Sequence, residues 1–365
     1  MTPPEREPTG FTPDPKPRRF DWPVAPGGYA WWYVDVISDD HRLGLTIIIF
    51  VGSVFSPHYF AARRRASARG EAPPDPTRHS AVNVALYQPG APALLDRGRN
   101  KRAWALSEYP SAQRERARLG VGASTIAWTE DEHGPLLQVE IDEREPFLGR
   151  RPIFAHAIRG RVRLRPAAIF GPRIELDPWR EQPRHRWYPV APMGRAEVEF
   201  EAPALRFEGS AYHDVNEGDE ALEAGFRSWS WARAELGEHA GILYDVVDPR
   251  GGLHPRGWRL FPSTRTLAPI ADGELGAASE LPRSFWGMHR PIRVRPGEQP
   301  QLIETLEDSP FYTRNLVHAA IGARPPETET ATETLSTVTM HESVDLERFR
   351  ASSTQFLLPF RTRRG

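Results

Sequence analysis

Two stretches of the sequence set titratable side chains beside aromatic ones at a spacing of two. One is Arg184-His185-Arg186-Trp187-Tyr188-Pro189; the other is Ala211-Tyr212-His213-Asp214-Val215-Asn216-Glu217-Gly218-Asp219. Alternate residues of a strand share a face, so His185 points with Trp187, and Tyr212 points with Asp214 and then Asn216. Each face then holds a group able to exchange a proton next to aromatic surface. Both patterns also have an ordinary structural use. His-x-Trp packs a tryptophan beside a hydrogen-bonded histidine, and Tyr-x-Asp-x-Asn ends a strand in a turn whose Asp and Asn bond the local backbone. On a strand His213 faces away from Asp214, whereas in a turn it could pair with that carboxylate and lower its pKa. Glu217 and Asp219 are rival carboxylates close by.

Other sources of chemistry are scarce. Cysteine is absent, which removes disulfides, thiolate metal sites and a cysteine nucleophile. There is no G-x-x-x-x-G-K-[ST] phosphate loop, no H-E-x-x-H, no G-x-S-x-G and no G-x-G-x-x-G opening a helix. The twelve histidines show no strong metal-ligand spacing, so neither a metal nor a cofactor is expected. Lys+Arg 47 against Asp+Glu 48 leaves no basic excess, so no nucleic-acid partner is expected.

The elements that must position these residues read as strands. With 37 prolines and 29 glycines in 365 residues, long helices are disfavoured and strands joined by turns are favoured. Tyr29–Ile37 and Leu43–Val51, separated by Ser-Asp-Asp-His, have the form of a hairpin. Phe226–Leu236 and Ile242–Asp248 repeat it about 200 residues later, each time with paired tryptophans before the turn: Trp31 and Trp32, then Trp229 and Trp231. The expectation is two tandem β-units, each a barrel or sandwich, covering 20–195 and 196–365 after a disordered lead-in, 1–19. Arg63–Arg78 is expected as an exposed loop, Ser111–Arg118 and Val344–Phe349 as short helices, and Arg283–Val294 as a strand. Met1–Phe20 lacks an apolar leader. The most apolar run, Leu43–Phe55, is broken by glycines and falls short of the roughly 20 residues of a spanning helix. A soluble or peripherally attached cytoplasmic protein is the expectation.

Several segments resemble the carotenoid 1,2-hydratases, also called hydroxyneurosporene synthases. They are Gly27-Gly28-Tyr29-Ala30-Trp31-Trp32-Tyr33-Val34-Asp35, Gly52-Ser53-Val54-Phe55-Ser56-Pro57, Asn83-Val84-Ala85-Leu86-Tyr87, the Tyr212–Asp219 stretch, Trp229-Ser230-Trp231, Glu304–Tyr312 and Leu357–Arg361. The resemblance implies a fold that is mainly β, with two tandem lipocalin-like antiparallel domains. It also implies a cofactor-free enzyme adding water across the terminal C1=C2 bond of an acyclic carotenoid at the surface of an inner or intracytoplasmic membrane. In that family an H-x-W pair and, 27 positions after its His, a Y-x-D pair are proposed to form the active site. His185, Trp187, Tyr212 and Asp214 match the two motifs, with Tyr212 itself 27 positions after His185.

Such a reaction wants a proton donor, a way to hold a tertiary cation, and water. An aspartic acid donates near neutral pH only if its pKa is lifted from about 3.9, which burial among apolar groups does. Asp214 takes that role. Aromatic faces hold a cation that has no oxygen, tryptophan best, which suits Trp187 with Tyr212 assisting. His185 is left with positioning the water, accepting its proton or orienting Asp214. Two other classes compete: a lipocalin-like isomerase or cyclase acting on another polyene or terpenoid, and a non-catalytic carrier of an apolar ligand. The arginines of Arg63–Arg69 and Arg361–Arg364 are candidates for contact with anionic headgroups, or simply solvated surface.

Overall fold

Strand Tyr29–Ser38 is buried along its whole length, which no single-faced strand would be. Its even-numbered residues Ala30, Trp32, Val34 and Val36 enter one apolar core, while Tyr29, Trp31, Tyr33 and Ile37 enter another. The strand is therefore a shared wall. In the computed structural model, which describes residues 19–88, 101–146, 156–271, 273–322 and 337–364, two antiparallel sheets meet on that wall. Of the lead-in 1–19 expected to be disordered, all but Arg19 lies outside the described residues.

The first sheet has thirteen strands. Tyr29–Ser38 lies between Gly44–Val51 on one side and Ala204–Gly218 on the other. Beyond Gly44–Val51 come Ser80–Tyr87 and Lys101–Tyr109; beyond Ala204–Gly218 come His185–Ala202, Ala157–Pro166, Gly134–Arg144 and Ser124–Asp131. The sheet curls round its own core of Trp32, Ile47, Val84, Val139, Val162 and their neighbours. The second sheet has eight strands centred on the hairpin Ser228–Leu236 and His239–Val247, with Thr337–Asp345 and Tyr312–Ala319 alongside. Its far face carries a smaller core that includes Leu243, Ile292 and Val317.

The two hairpins singled out by their tryptophans pack against each other, equivalent residue against equivalent residue. Trp31 lies 6.3 Å from Trp229 between ring centroids, and Tyr33 lies 5.7 Å from Trp231. One step further, the fully buried Asp35 accepts hydrogen bonds from the Arg233 guanidinium, 198 positions away, its Oδ2 at 3.0 Å from Nε. The spacing that suggested tandem units is thus the spacing of residues in contact.

Several boundaries differ from the sequence reading. The position 195/196 falls inside His185–Ala202, whose pairing with Ala204–Gly218 runs on through Arg195 and Ser210. The chain changes sheets between Gly218 and Ser228, and Arg363–Arg364 returns to the first sheet beside Ser107 and Glu108. The expected loop Arg63–Arg78 begins inside a helix, Pro57–Arg69, because the Ser56 hydroxyl caps Tyr59 N–H at 2.9 Å, Pro57 follows it, and Gly70 closes the end at φ 64°; the chain from there to Asp75 is loop. Ser111–Arg118 is not a helix; it contributes to the short strands Gln113–Arg114 and Arg118–Val121, which extend the Ser124–Asp131 hairpin. In Arg283–Val294 only Pro291–Ile292 pairs, since Gly287 turns the chain at φ 70° midway along the segment. The helix expected at Val344–Phe349 is Leu346–Arg350; it starts after Asp345, which caps Arg348 N–H, and a second short helix, Ser352–Leu357, follows it.

The Asp35–Arg233 pair is buried in the contact between the sheets. Arg233→Met should strand Asp35 and destabilise the protein by about 3–5 kcal/mol in urea unfolding, whereas the double change Asp35→Leu with Arg233→Met should restore much of that loss.

Candidate functional site

Three of the four candidate residues come together on the shared face. Asp214 pairs with Tyr33 across the strands, and Trp187 pairs with Asn216, one diagonal from Asp214. The Trp187 indole Nε1 donates to Asp214 Oδ2 at 2.8 Å, and the Tyr212 hydroxyl donates to the same oxygen at 2.7 Å. Asp214 Oδ1 is buried and has no hydrogen-bond partner. The second sheet roofs this group with rings. Trp231 lies 5.3 Å from Tyr212, while Tyr244 and Trp258 lie 5.6 and 5.3 Å from Trp187.

The carboxyl has no cation in hydrogen-bond contact. Burial pushes the Asp214 pKa up to about 8, the nearby charges of Glu342 and Asp35 push the same way, and the bonds from Tyr212 and Trp187 oppose them. The neighbouring titratable groups are directed elsewhere. His213 faces the first core, donates from Nδ1 to the Tyr33 carbonyl at 2.8 Å, and is brought down to about 4 by burial. It therefore brings no positive charge near neutral pH. Glu217 shares His213's side of the strand and accepts from the Tyr188 hydroxyl at 2.8 Å; Asp219 pairs with Arg186 at 2.5 Å.

His185 stands apart. It pairs with Gly218, four residues along the strand from Asp214 and so about 13 Å away. Its Nδ1 lies 2.8 Å from the Tyr29 hydroxyl and its Nε2 lies 3.3 Å from Glu220 Oε1. Burial alone would raise the Glu220 pKa, but the bonds from His185 and Arg180 hold it down at about 2. Glu220 is thus ionised and accepts, so His185 Nε2 carries a hydrogen. The ring fits because Gly225 lies beside it: a Cβ there would sit 2.1 Å from Nε2. His185 fixes Tyr29, which stacks on Trp31 at 5.0 Å. The hydrogen bonds that orient Asp214 come from Trp187 and Tyr212.

The sequence reading missed a second polar cluster on the same layer. Arg314, fully buried, donates from Nε to Glu342 Oε1 at 2.8 Å, and the Tyr33 hydroxyl donates to the same oxygen at 3.0 Å. Arg314 also lies 3.6 Å from Glu307 and bonds the Tyr87 hydroxyl. An arginine within the run Tyr312–Ala319 was the one available signal. The cluster borders a narrow cleft, partly open to solvent, whose lining includes Ile48, Phe55, Asn83, Leu106 and Phe311. Asp214, Tyr33, Ile48, Asn83 and Leu106 are successive partners in one row across five strands. The cleft therefore begins about 10 Å from Asp214 with Tyr33 between them. Among the described residues, no three His, Asp or Glu side chains gather as metal ligands, and no helix is long and apolar enough to cross a membrane.

Two curled antiparallel sheets closing on a shared aromatic layer define a lipocalin-like protein, and a solved structure of the same fold covers most of the chain. This is the AttH candidate of Nitrosomonas europaea, 13% identical, with a TM-score of 0.52 over 87% of this chain and 92% of that one. Residues 47–365 match the family described as carotenoid hydratase CrtC, and the chain belongs to that family. The acyclic carotenoid 1,2-hydratase of Thiocapsa roseopersicina is 39% identical over 351 residues, 94% of this chain and 75% of its own length. The enzyme of the same name from Rubrivivax gelatinosus is 37% identical over 348 residues, with the same coverage of both chains.

The raised pKa of Asp214 has a signature in stability. Below about pH 4 both folded and unfolded chains hold the proton and the contribution is fully present. Between there and about pH 8 the unfolded chain releases its proton while the folded one keeps it, so stability falls as pH rises. Asp214→Asn should remove this part of the pH dependence. Urea unfolding of both proteins at a series of pH values measures the difference.

Proposed function

We propose that the protein hydrates the terminal C1=C2 double bond of acyclic carotenoids of the neurosporene and lycopene type, using Asp214 as the acid and no cofactor. The observation that carries this reading is the Asp214 carboxyl, buried, held on one oxygen by Trp187 and Tyr212, and open on the other. With its pKa near 8 it is protonated at neutral pH and able to donate. Asp214 gives its proton to C2, the π electrons form the new C–H bond, and a tertiary cation remains at C1. The faces of Trp187, Tyr212 and Trp231 stabilise that cation, each such contact contributing about 2 kcal/mol when desolvated. Water adds at C1 and its surplus proton returns to the Asp214 carboxylate, so the net change is one water. His185 acts as a positioning residue, through Tyr29. The family and the two hydratase relatives support the substrate class.

A long polyene needs a path to the acid. The cleft and Asp214 lie on one row of the sheet, so a chain laid in the cleft along that row directs its end towards the carboxyl past Tyr33. Because such a substrate dissolves in lipid, the protein works peripherally at a bilayer surface.

Incubation with neurosporene or lycopene, followed by mass analysis, should give a product heavier by one water. An unchanged mass would point to isomerisation or cyclisation, and recovery of bound substrate alone would point to a carrier. Asp214→Asn should fold and lose activity by about 10²–10⁴-fold. The wild-type kcat/KM should decline as pH rises past about 8, because the donor form is then lost. Tyr33→Trp, which enlarges the side chain between cleft and acid, should lower kcat/KM for the long substrate. The stability–pH slope attributed to Asp214 should persist in that variant.

A further inference from the structure

Exposed apolar surface is concentrated at one place on the molecule. Seven large hydrophobic side chains are exposed among the described residues, and five of them fall in two short segments: Phe285 with Trp286, and Phe356 with Leu357 and Phe360. Phe285 and Phe356 are 71% and 70% exposed, which is unusual for side chains of this type. Both segments are fastened to the rim of the cleft. Phe285 N–H donates to Asp308 at 2.7 Å, and Asp308 lines the cleft. The backbone carbonyl of Trp286 accepts from Arg348 at 2.6 Å. Leu358 and Arg361 line the cleft themselves, Arg361 lying 4.4 Å above the Trp104 ring.

Positive charge surrounds the same rim. From Arg348 to Gly365 the sequence has five arginines and no Asp or Glu. The helix Pro57–Arg69 joins them, because Phe60 packs on Phe349 at 5.5 Å and Arg64 lies over Phe60. Arg65 and Arg364 both come close enough to His58 to act on its charge. Two arginine groups nearly 300 residues apart in sequence therefore converge beside one cleft. The nearby carboxylates do not offset them outwardly. Glu108 is buried, Asp308 binds Phe285 N–H, and Glu347 is paired with Arg227 at 2.9 Å. Aromatic and aliphatic tips within an arginine collar are complementary to the interface of an anionic bilayer, where rings sit at headgroup level and cations meet lipid phosphates.

We propose that Phe285, Trp286, Phe356, Leu357 and Phe360, with the arginines around them, dock the protein on an anionic phospholipid bilayer so that the cleft opens towards the acyl chains. The purpose of this docking, delivery of a lipid-dissolved substrate, rests on the function proposed above; the docking itself does not. Insertion of a few rings supplies one weak anchor and the arginines a second, so binding is reversible and depends on both.

The experiment is co-sedimentation of the full chain with vesicles, without substrate. Wild type should bind vesicles of phosphatidylglycerol and phosphatidylethanolamine, bind phosphatidylcholine vesicles more weakly, and release as salt rises. Phe356→Ser with Phe360→Ser, and separately Phe285→Ser with Trp286→Ser, should each lower partitioning by at least about tenfold. Both should keep the wild-type circular dichroism and turn over detergent-solubilised substrate as wild type does. Using two independent pairs covers the case in which one disturbs folding. Wild type remaining in the supernatant, or both pairs binding like wild type, would overturn the proposal. So would a wild-type dimer on size exclusion that the same substitutions split, which would give this face to a second copy. Absence of hydratase turnover in every protein, with vesicle binding intact and lost in the variants, would sink the function and leave the docking face standing.

Discussion

A carboxyl group enclosed between two sheets, with rings around it and no cation on it, is the constraint that organises this molecule. Burial favours Asp214 there as the neutral acid, because an unpaired buried charge is far more costly than a buried hydroxyl. Its unbonded Oδ1 still costs about 1–3 kcal/mol. The surrounding Trp and Tyr side chains outweigh that cost. Each buries about 150–250 Å², and at about 25 cal/mol/Å² a single ring contributes about 4–6 kcal/mol before entropy is counted. The same rings that keep water out, and so raise the pKa, are those able to stabilise a cation.

The layer is built by two hairpins in which equivalent residues meet: Trp31 meets its like in Trp229, and the next two pairs differ in chemistry. Where the first hairpin has Tyr33, the second has Trp231; where the first has Asp35, the second has Arg233. A contact between equivalent positions places like next to like unless the copies diverge, and here divergence produces an ion pair that holds the sheets in register. Because Arg233 is committed to Asp35, it lies over the Tyr212 ring at 5.4 Å without bonding Asp214. The buried charges on the layer are thus sorted. Asp35 and Glu342 each have a guanidinium, and Asp214 does not. The compensated carboxylates raise the pKa of the uncompensated one.

The row from Asp214 through Tyr33 to Leu106 ties the buried acid to the cleft, and the cleft to the most apolar part of the surface. Facing it, Tyr244, Trp231, Glu342, Arg314 and Glu307 form a second row across the other sheet. Polarity along the layer is therefore graded: aromatic around Asp214, charged at Arg314, and apolar again in the cleft.

The sequence by itself determined the mainly β class, the tandem hairpins, and the Trp187, Tyr212 and Asp214 grouping, because alternation along a strand decides which side chains share a face. Read as a strand, it also placed His213 on the face opposite Asp214, while Glu217 was separated from Asp214 only by the structure. The sequence could not set pairing partners. The helix at Pro57–Arg69 was legible in its Ser-Pro start and was overlooked among arginines. The distance between His185 and Asp214 depended on strand register, which puts His185 opposite Gly218. The role of Arg314, and the convergence of Arg64 and Arg65 with Arg361 and Arg364, depended on how the second sheet and the C-terminal segment pack on the first. Periodicity is a local property that the chain carries with it. Register, burial and the company a charge keeps are decided only when distant strands close on one another, and here that closure buries one aspartate away from any guanidinium and lifts its pKa.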